Sequence, residues 1–421
     1  MFTVLGNTWA LMLGMMLLMV GNGLQGTLIG IRGEIEGFST IELSIVMSAY
    51  FVGFLGASQL VPELIRRVGH VRVFAALASF ISAVLIAYPL LTNPIFWSVG
   101  RVVIGFCYCG VYITAESWLN NSVDNEKRGQ ALSLYMIVQM VGIVSAQGVL
   151  ALGNPNGYSL FIIISILVSI SFAPILLSIS PAPAFERTKL MTLSRLFTSS
   201  PLACVGMFLL GGVFSAQFGM SAVFGAQIGL SLSQISLFVA SFYIGAMIFQ
   251  YPIGWVSDKM DRRLLILLIS AASATGSASA YFAGGYFFAL VFAAFLVGGL
   301  TNPLYSLLIA HANDFIEYED MASAAAGLLF VNGVGAVSGP IIIGYAMNAF
   351  GPEIFFVIIA LLMATLAIYA GYRMTQRATV SDTSSYAAVL PNSTGVAVEI
   401  AQEFAFDVTN DDEEKVMHKS H

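Results

Sequence analysis

The chain has 421 residues, of which 58% are hydrophobic and only 10% charged, whereas an ordinary soluble domain carries about 25% charged residues. Its apolar residues come in continuous blocks that supply the roughly 20 residues a helix needs to cross a bilayer, so a soluble fold is excluded. The formal charge of −6 belongs to residues 382–421, where eight acids face only Lys415 and Lys419; the rest is balanced and offers no electrostatic basis for nucleic-acid binding.

In chain order, apolar blocks between polar breaks predict membrane helices near residues 8–30, 42–64, 73–91, 95–118, 131–152 and 158–179. The first begins almost at Met1 without a basic n-region or a clean cleavage site, and is read as a permanent span rather than a removable signal. A polar linker from Ser180 to Ser200 follows, carrying Pro181, Pro183, Glu186, Arg187, Lys189 and Arg195. Six further spans are predicted near 202–225, 234–256, 263–282, 286–310, 322–347 and 352–373. The expected organisation is a six-helix bundle over 1–180, a cytoplasmic linker over 181–200, a second bundle over 201–375 and an acidic tail over 376–421. From about Thr379 the tail is polar and lacks helical periodicity until Val396, which predicts a largely disordered segment.

Basic residues near helix ends are retained on the cytoplasmic side. Arg66, Arg67 and Arg72 follow span 2, Lys127 and Arg128 follow span 4, the linker follows span 6, and Lys259, Arg262 and Arg263 follow span 8. The alternate loops hold one base, Arg32, so both termini are expected in the cytoplasm, with Arg373 and Arg377 anchoring span 12. The loop after span 10 departs from this pattern, being acidic at Asp314, Glu317, Glu319 and Asp320.

The halves repeat each other at a shift of about 192 residues. Ala49-Tyr50-Phe51-Val52-Gly53 aligns with Ser241-Phe242-Tyr243-Ile244-Gly245, and Val141-Gly142-Ile143-Val144-Ser145 with Val334-Gly335-Ala336-Val337-Ser338. The predicted fold is an all-α membrane protein of twelve transmembrane helices in two pseudo-symmetric six-helix bundles.

Arg101 lies inside span 4, where an arginine costs at least about 2.5 kcal/mol on insertion scales and must face protein or water. It is a candidate for binding an anionic group or sensing a coupled proton; the alternative is a structural arginine paired with carbonyls. Glu116 sits at the inner end of the same helix, about 22 Å along the axis from Arg101, too far to be its partner. Pairing with Lys127 or Arg128 is the simpler reading of Glu116, and proton carriage the sharper one. Uncharged polar residues within spans complete the pocket candidates: Asn22, Gln25, Tyr112, Gln139, Gln147, Gln217, Tyr243, Asn302, Tyr305 and Asn332; most such residues are packing groups, and the subset kept beside Arg101 omits Gln147 and Tyr243.

Other chemistries find little support. Cys107, Cys109 and Cys204 all lie in apolar blocks and read as small packing residues. His70 and His311 lack metal-ligand spacing, and His418 and His421 fall in the tail. No phosphate-cradling Gly-rich loop with Lys-Ser/Thr is present, so neither ATP hydrolysis nor an embedded enzyme is expected, and no cofactor.

The loop after span 8, Gly254-Trp255-Val256-Ser257-Asp258-Lys259-Met260-Asp261-Arg262-Arg263, resembles the loop signature of the major facilitator superfamily, with Asp261 where that family usually has glycine. After span 2 the resemblance survives as Arg67-Val68-Gly69, while Pro62 and Arg66 replace the usual glycine and acid. Arg101-Val102-Val103-Ile104-Gly105 resembles the family's fourth-helix arginine, and Arg128-Gly129 and Gly339-Pro340 recur in order. The antiporter signature of span 5 is not met, because Ala146-Gln147 occupies its place. Through Tyr50-Phe51-Val52-Gly53, Arg66-Arg67-Val68-Gly69, Ala115-Glu116-Ser117 and Pro252-Ile253-Gly254 the chain looks like the bacterial YcaD-type branch, which has no firmly assigned substrate.

The resemblance implies a secondary transporter of the inner membrane, expected as a monomer, moving a small solute by alternating access, with a coupled proton left open. It also implies a gate around Arg67, Gly69, Glu116, Arg128, Gly254, Asp258, Lys259, Arg262 and Arg263, Asp258 being the central candidate. The alternative is a non-transporting sensor that signals through the acidic tail.

Overall fold

A computed structural model describes residues 2–121, 123, 127–174, 191–282, 286–376, 386–403 and 405. Helix dominates. The first half comprises α1 (Phe2–Ile35), α2 (Thr40–Val68), α3 (His70–Ala87), α4 (Pro94–Asn121), α5 (Arg128–Leu152) and α6 (Ser159–Ser171). The second comprises α7 (Pro201–Gln227), α8 (Leu232–Ser257), α9 (Arg262–Phe282), α10 (Phe287–Asn313), α11 (Tyr318–Phe350) and α12 (Ile354–Met374). Eleven of these are long and apolar enough to cross a membrane, α6 being shorter among the described residues. Every predicted span overlaps one helix; helices such as α2, α4 and α11 overrun their apolar blocks because caps and polar ends continue the backbone ladder beyond the hydrocarbon, whereas α3 and, among the described residues, α6 stop short of theirs.

Of the predicted linker, residues 181–190 lie outside the described set, and Leu193–Ser199 forms a short helix whose Arg195 pairs with Asp320 at 2.5 Å. The tail corrects the expectation of disorder: residues 386–403 are packed, with a helix over 395–403, while 377–385 and 406–421 lie outside the described residues. Val389, Thr394, Ala397 and Val398 are each no more than 1% exposed, so apolar residues spaced along a polar stretch suffice to bury it once a groove is available.

The repeat read in the sequence is a repeat of packing. Gly53 of α2 lies on the Val102 carbonyl of α4, and Gly105 of α4 on the Tyr50 carbonyl of α2, with no room for a Cβ at either contact. Gly245 of α8 and Gly298 of α10 make the same reciprocal crossing on the Phe295 and Phe242 carbonyls. Small residues drive such close helix approach in lipid, where no hydrophobic force draws helices together. Both copies also start alike: Ser39 and Glu42 form a capping box on α2, Ser231 and Gln234 one on α8, each preceded by a glycine at positive φ, Gly37 at 80° and Gly229 at 76°.

The halves meet directly at the end of the bundle where α2 and α8 begin. Ser48 Oγ donates to the Val337 carbonyl at 2.5 Å, Gln227 to Thr40 at 2.7 Å, and Gly30 of α1 packs on Ala222 and Val223 of α7. At the opposite end, which carries Arg66, Lys127 and Lys259, the packed tail lies between them.

Candidate functional site

Between the halves lies a cavity of about 110 Å³. Its aromatic walls are Tyr50, Phe51 and Phe54 from α2, Phe214 and Phe218 from α7, and Tyr243 from α8. Four of the predicted pocket residues reach it, Asn22, Gln217, Asn302 and Asn332, and the tail residues Leu390, Pro391 and Asn392 complete its wall. No acidic or basic side chain is part of the described lining.

Arg101, Gln25, Tyr112, Gln139 and Tyr305 were expected in the lining and stand behind it instead. Three of them form one chain with Asn22. Arg101 Nη1 donates to Gln25 Oε1 at 2.6 Å, Gln25 Nε2 donates to Asn22 Oδ1 at 3.0 Å, and Asn22 Nδ2 donates to the Tyr112 hydroxyl at 2.9 Å. The Arg101 guanidinium, fully buried, lies 4.8 Å from the centre of the Tyr50 ring, so that ring separates the charge from the cavity. Its partners are therefore the carbonyl oxygen of the Gln25 amide, a π face and the Met47 sulfur at 3.6 Å, an arrangement nearer to the structural alternative than to binding of an anion. No carboxylate pairs with it among the described residues.

On the second half, Gln217 sits in a π-helical stretch, Ala216–Met220, where one extra residue turns the side chains relative to the rest of α7. Its Nε2 donates to Thr301 Oγ1 at 2.8 Å. Asn302 Nδ2 donates to the Gly298 carbonyl at 2.9 Å and Asn332 Nδ2 to the Met207 carbonyl at 3.0 Å, which fixes both amides and leaves their oxygens as acceptors. Tyr305 packs its ring 6.2 Å from Phe214, and its hydroxyl has no partner among the described residues.

The gate candidates separate into two groups. In the loop after α8, Arg262 is buried and pairs at 2.5 Å with Asp314, which caps the end of α10, Arg263 pairs with Asp261 at 2.8 Å, and Lys259 lies 3.5 Å over the Trp255 ring. In the loop after α2, Arg66 and Arg67 both bind Glu63 at 2.8 Å on the surface, and Gly69 caps α2 at φ 85°. All of these contacts stay within one half. Asp258, Gly254, Arg128 and Glu116 instead touch the tail. Asp258 Oδ1 accepts the Tyr386 N–H at 2.8 Å, and Gly254 leaves room for the Tyr386 ring. Burial pushes the Tyr386 phenol above its usual range, keeping it neutral as it accepts from Gln250 at 3.0 Å.

Glu116 corrects the simpler sequence reading. It pairs with neither Lys127 nor Arg128; Arg128 binds Glu403 of the tail at 2.5 Å. The buried Glu116 carboxylate accepts the Thr394 N–H at 3.1 Å, the Ala397 N–H at 3.3 Å and the Thr394 hydroxyl. Sequence reasoning missed the aromatic wall and the tail contacts. The signal for the tail was Ser393 and Thr394 just before the periodic stretch from Val396, a helix-start pattern; the phenylalanines carried none, being indistinguishable from lipid-facing ones.

Two matched sets of apolar helices around a central cavity define the class as a polytopic membrane transporter. The family model described as Major Facilitator Superfamily matches residues 11–228 and 202–398, and the chain belongs to that superfamily; it is a transporter rather than an enzyme. It is 26% identical over 354 residues, 83% of this chain and 91% of the relative, to a protein of Escherichia coli O17:K52:H18 (strain UMN026 / ExPEC) called uncharacterized MFS-type transporter YcaD. Among solved structures it is similar to a mutant of the nucleoside transporter NupG, with a TM-score of 0.74 at 16% identity, covering 87% of this chain and all 100% of that one. It is also similar to a D-xylose-proton symporter, with a TM-score of 0.67 at 14% identity over 86% of this chain and 96% of that one. A bacterial homolog of the human lysosomal transporter Spinster, inward-facing and unoccupied, gives 0.67 at 16% identity over 97% of both chains.

Proposed function

We propose that the chain is a secondary active transporter that moves a small organic solute across the bacterial inner membrane by alternating access, both termini lying in the cytoplasm. The observation that carries this reading is the cavity between the halves, walled by Asn22, Gln217, Asn302 and Asn332. Direct contacts between the halves close it at the end opposite the basic loops, so the basic end is the inward-facing one under the retention of Lys and Arg in the cytoplasm.

The lining favours a neutral or anionic solute with a flat apolar body and several hydrogen-bonding groups. Aromatic faces supply contact area and fixed amides supply orientation. The unneutralised Arg101 behind Tyr50 disfavours cations. Glu116, buried near the inner end of α4, is the carboxylate suited to single-proton coupling. The sensor reading draws on one observation, the seated tail, and is separated from transport by measuring flux.

The test is a thermal-shift screen of the detergent-purified protein against nucleosides, sugars, aromatic carboxylates and quaternary amines. Ring-bearing neutral or anionic compounds are expected to raise the melting temperature, by an amount that follows ligand concentration over Kd. Quaternary amines are expected to leave it unchanged. Gln217→Ala and Arg101→Leu should each weaken the best ligand about tenfold, the equivalent of 1.4 kcal/mol. A best ligand that proves cationic would overturn the substrate class. Absence of any flux of a stabilising ligand into proteoliposomes would overturn the transport reading.

A further inference from the structure

The two ends of the bundle are closed by different means. At one end the halves touch each other, through Ser48 and Val337 and through Thr40 and Gln227. At the basic end the described bridging runs through the tail, which holds one half with one side and the other half with the other. Toward the first half, Asn392 donates to Gln139 at 2.9 Å and Glu403 pairs with Arg128 at 2.5 Å. Toward the second, Ser306 Oγ donates to the Val389 carbonyl at 3.0 Å and accepts the Val389 N–H at 2.9 Å, and Gln402 donates to Asn313 at 3.0 Å.

From these contacts we infer that residues 386–403 are an intramolecular plug, bound in the mouth of the transport cavity, and that the plug must withdraw before solute passes. The groove is built for this occupant. Glu116 meets the start of the tail helix, where the first N–H groups lack intrahelical partners and the helix dipole favours an anion. The carboxylate thus finds donors that no cation supplies among the described residues, and the helix gains its cap. Leu390 packs with Met136, Met140 and Ala246, bringing α5 and α8 together across the halves.

Volume gives the consequence. With the plug seated the cavity is about 110 Å³, less than the roughly 150 Å³ of an engineered apolar cavity that binds benzene. Pro391 and Asn392 form part of the cavity wall, so their withdrawal enlarges the space open to a solute. The consequence for transport rests on the transporter reading, but the contact is tested without any solute, so the two fail separately.

The probe is a cysteine in the cavity wall, Ser58→Cys, labelled with N-ethylmaleimide on purified protein in detergent; Ser58 lines the cavity. The same chain without that substitution supplies the blank, since Cys107, Cys109 and Cys204 are buried. A chain ending at Gln376 is expected to label about tenfold faster than the full chain, as removal of a local closing element allows. A chain ending at Ala405 is expected to keep the slow rate. Thr394→Val, which removes only the hydroxyl given to Glu116, should give an intermediate rate and serves as the readout if the shortened chain aggregates. Labelling of the Gln376-terminated chain at the full-length rate would overturn the plug, as would a slow Thr394→Val chain where that is the readout.

Discussion

The two halves share their packing and differ in their charges. The reciprocal glycine crossings, capping boxes and positive-φ glycines recur at matching places in both. The ionisable groups do not. The loop after α2 holds its arginines on the surface against Glu63, whereas the loop after α8 buries Arg262 against Asp314, with 1% and 4% of the two side chains exposed. Arg101 and Glu116 have no charged counterparts in α10. Helix crossings are geometric constraints that a duplicated fold keeps in both copies, while each buried charge costs several kcal/mol and persists only where a use or a partner holds it.

The sharpest way to break that comparison is to remove one loop arginine from each half. Arg262→Ala removes a buried ion-pair partner of Asp314 and should cost about 3–5 kcal/mol, seen as collapse of the monodisperse peak on size-exclusion chromatography after mild heating. Arg66→Ala, at a surface pair in which Arg67 also holds Glu63, should leave the same profile unchanged. Equal losses at the two positions would mean that the loops are as alike in energy as in sequence.

Next in size are the crossings. Gly53→Val and Gly245→Val each force a branched side chain onto a facing carbonyl and should lower stability by about 1–3 kcal/mol, to a similar extent in both halves. Gly56→Ala supplies the control, since nothing lies within 4 Å of the added carbon, and its melting temperature should hold or rise slightly. The smallest effect is that of the caps. Ser39→Ala and Ser231→Ala should each cost about 1 kcal/mol in a thermal melt; a large difference between them would show that the two helix starts are supported unequally by their surroundings.

The membrane helices, their number and the repeat were legible because each rests on a local property. A block of apolar residues commits its own backbone to a helix in lipid, where every N–H and C=O must be satisfied within the segment. Asn22, Gln217, Asn302 and Asn332 were likewise recognisable as polar residues in apolar helices, and they do line the cavity. Gln25 and Tyr112 carried the same signal and yet stand one layer back, since a small rotation about a helix axis decides whether a side chain meets the cavity or the neighbouring helix. Arg101 illustrates it most clearly: its place in α4 was plain, but its separation from the cavity by Tyr50 depends on how α2 crosses α4.

By itself the sequence determined the twelve-helix membrane fold, the two related halves and the polar groups that such a fold must accommodate. Only the tertiary structure decided which of those groups meet. Glu116 and Thr394 lie 278 residues apart, and no periodicity links them. They come together because a buried carboxylate and the unsatisfied N–H groups of a helix start answer the same need for a hydrogen-bond partner, and the path of the whole chain brings one to the other.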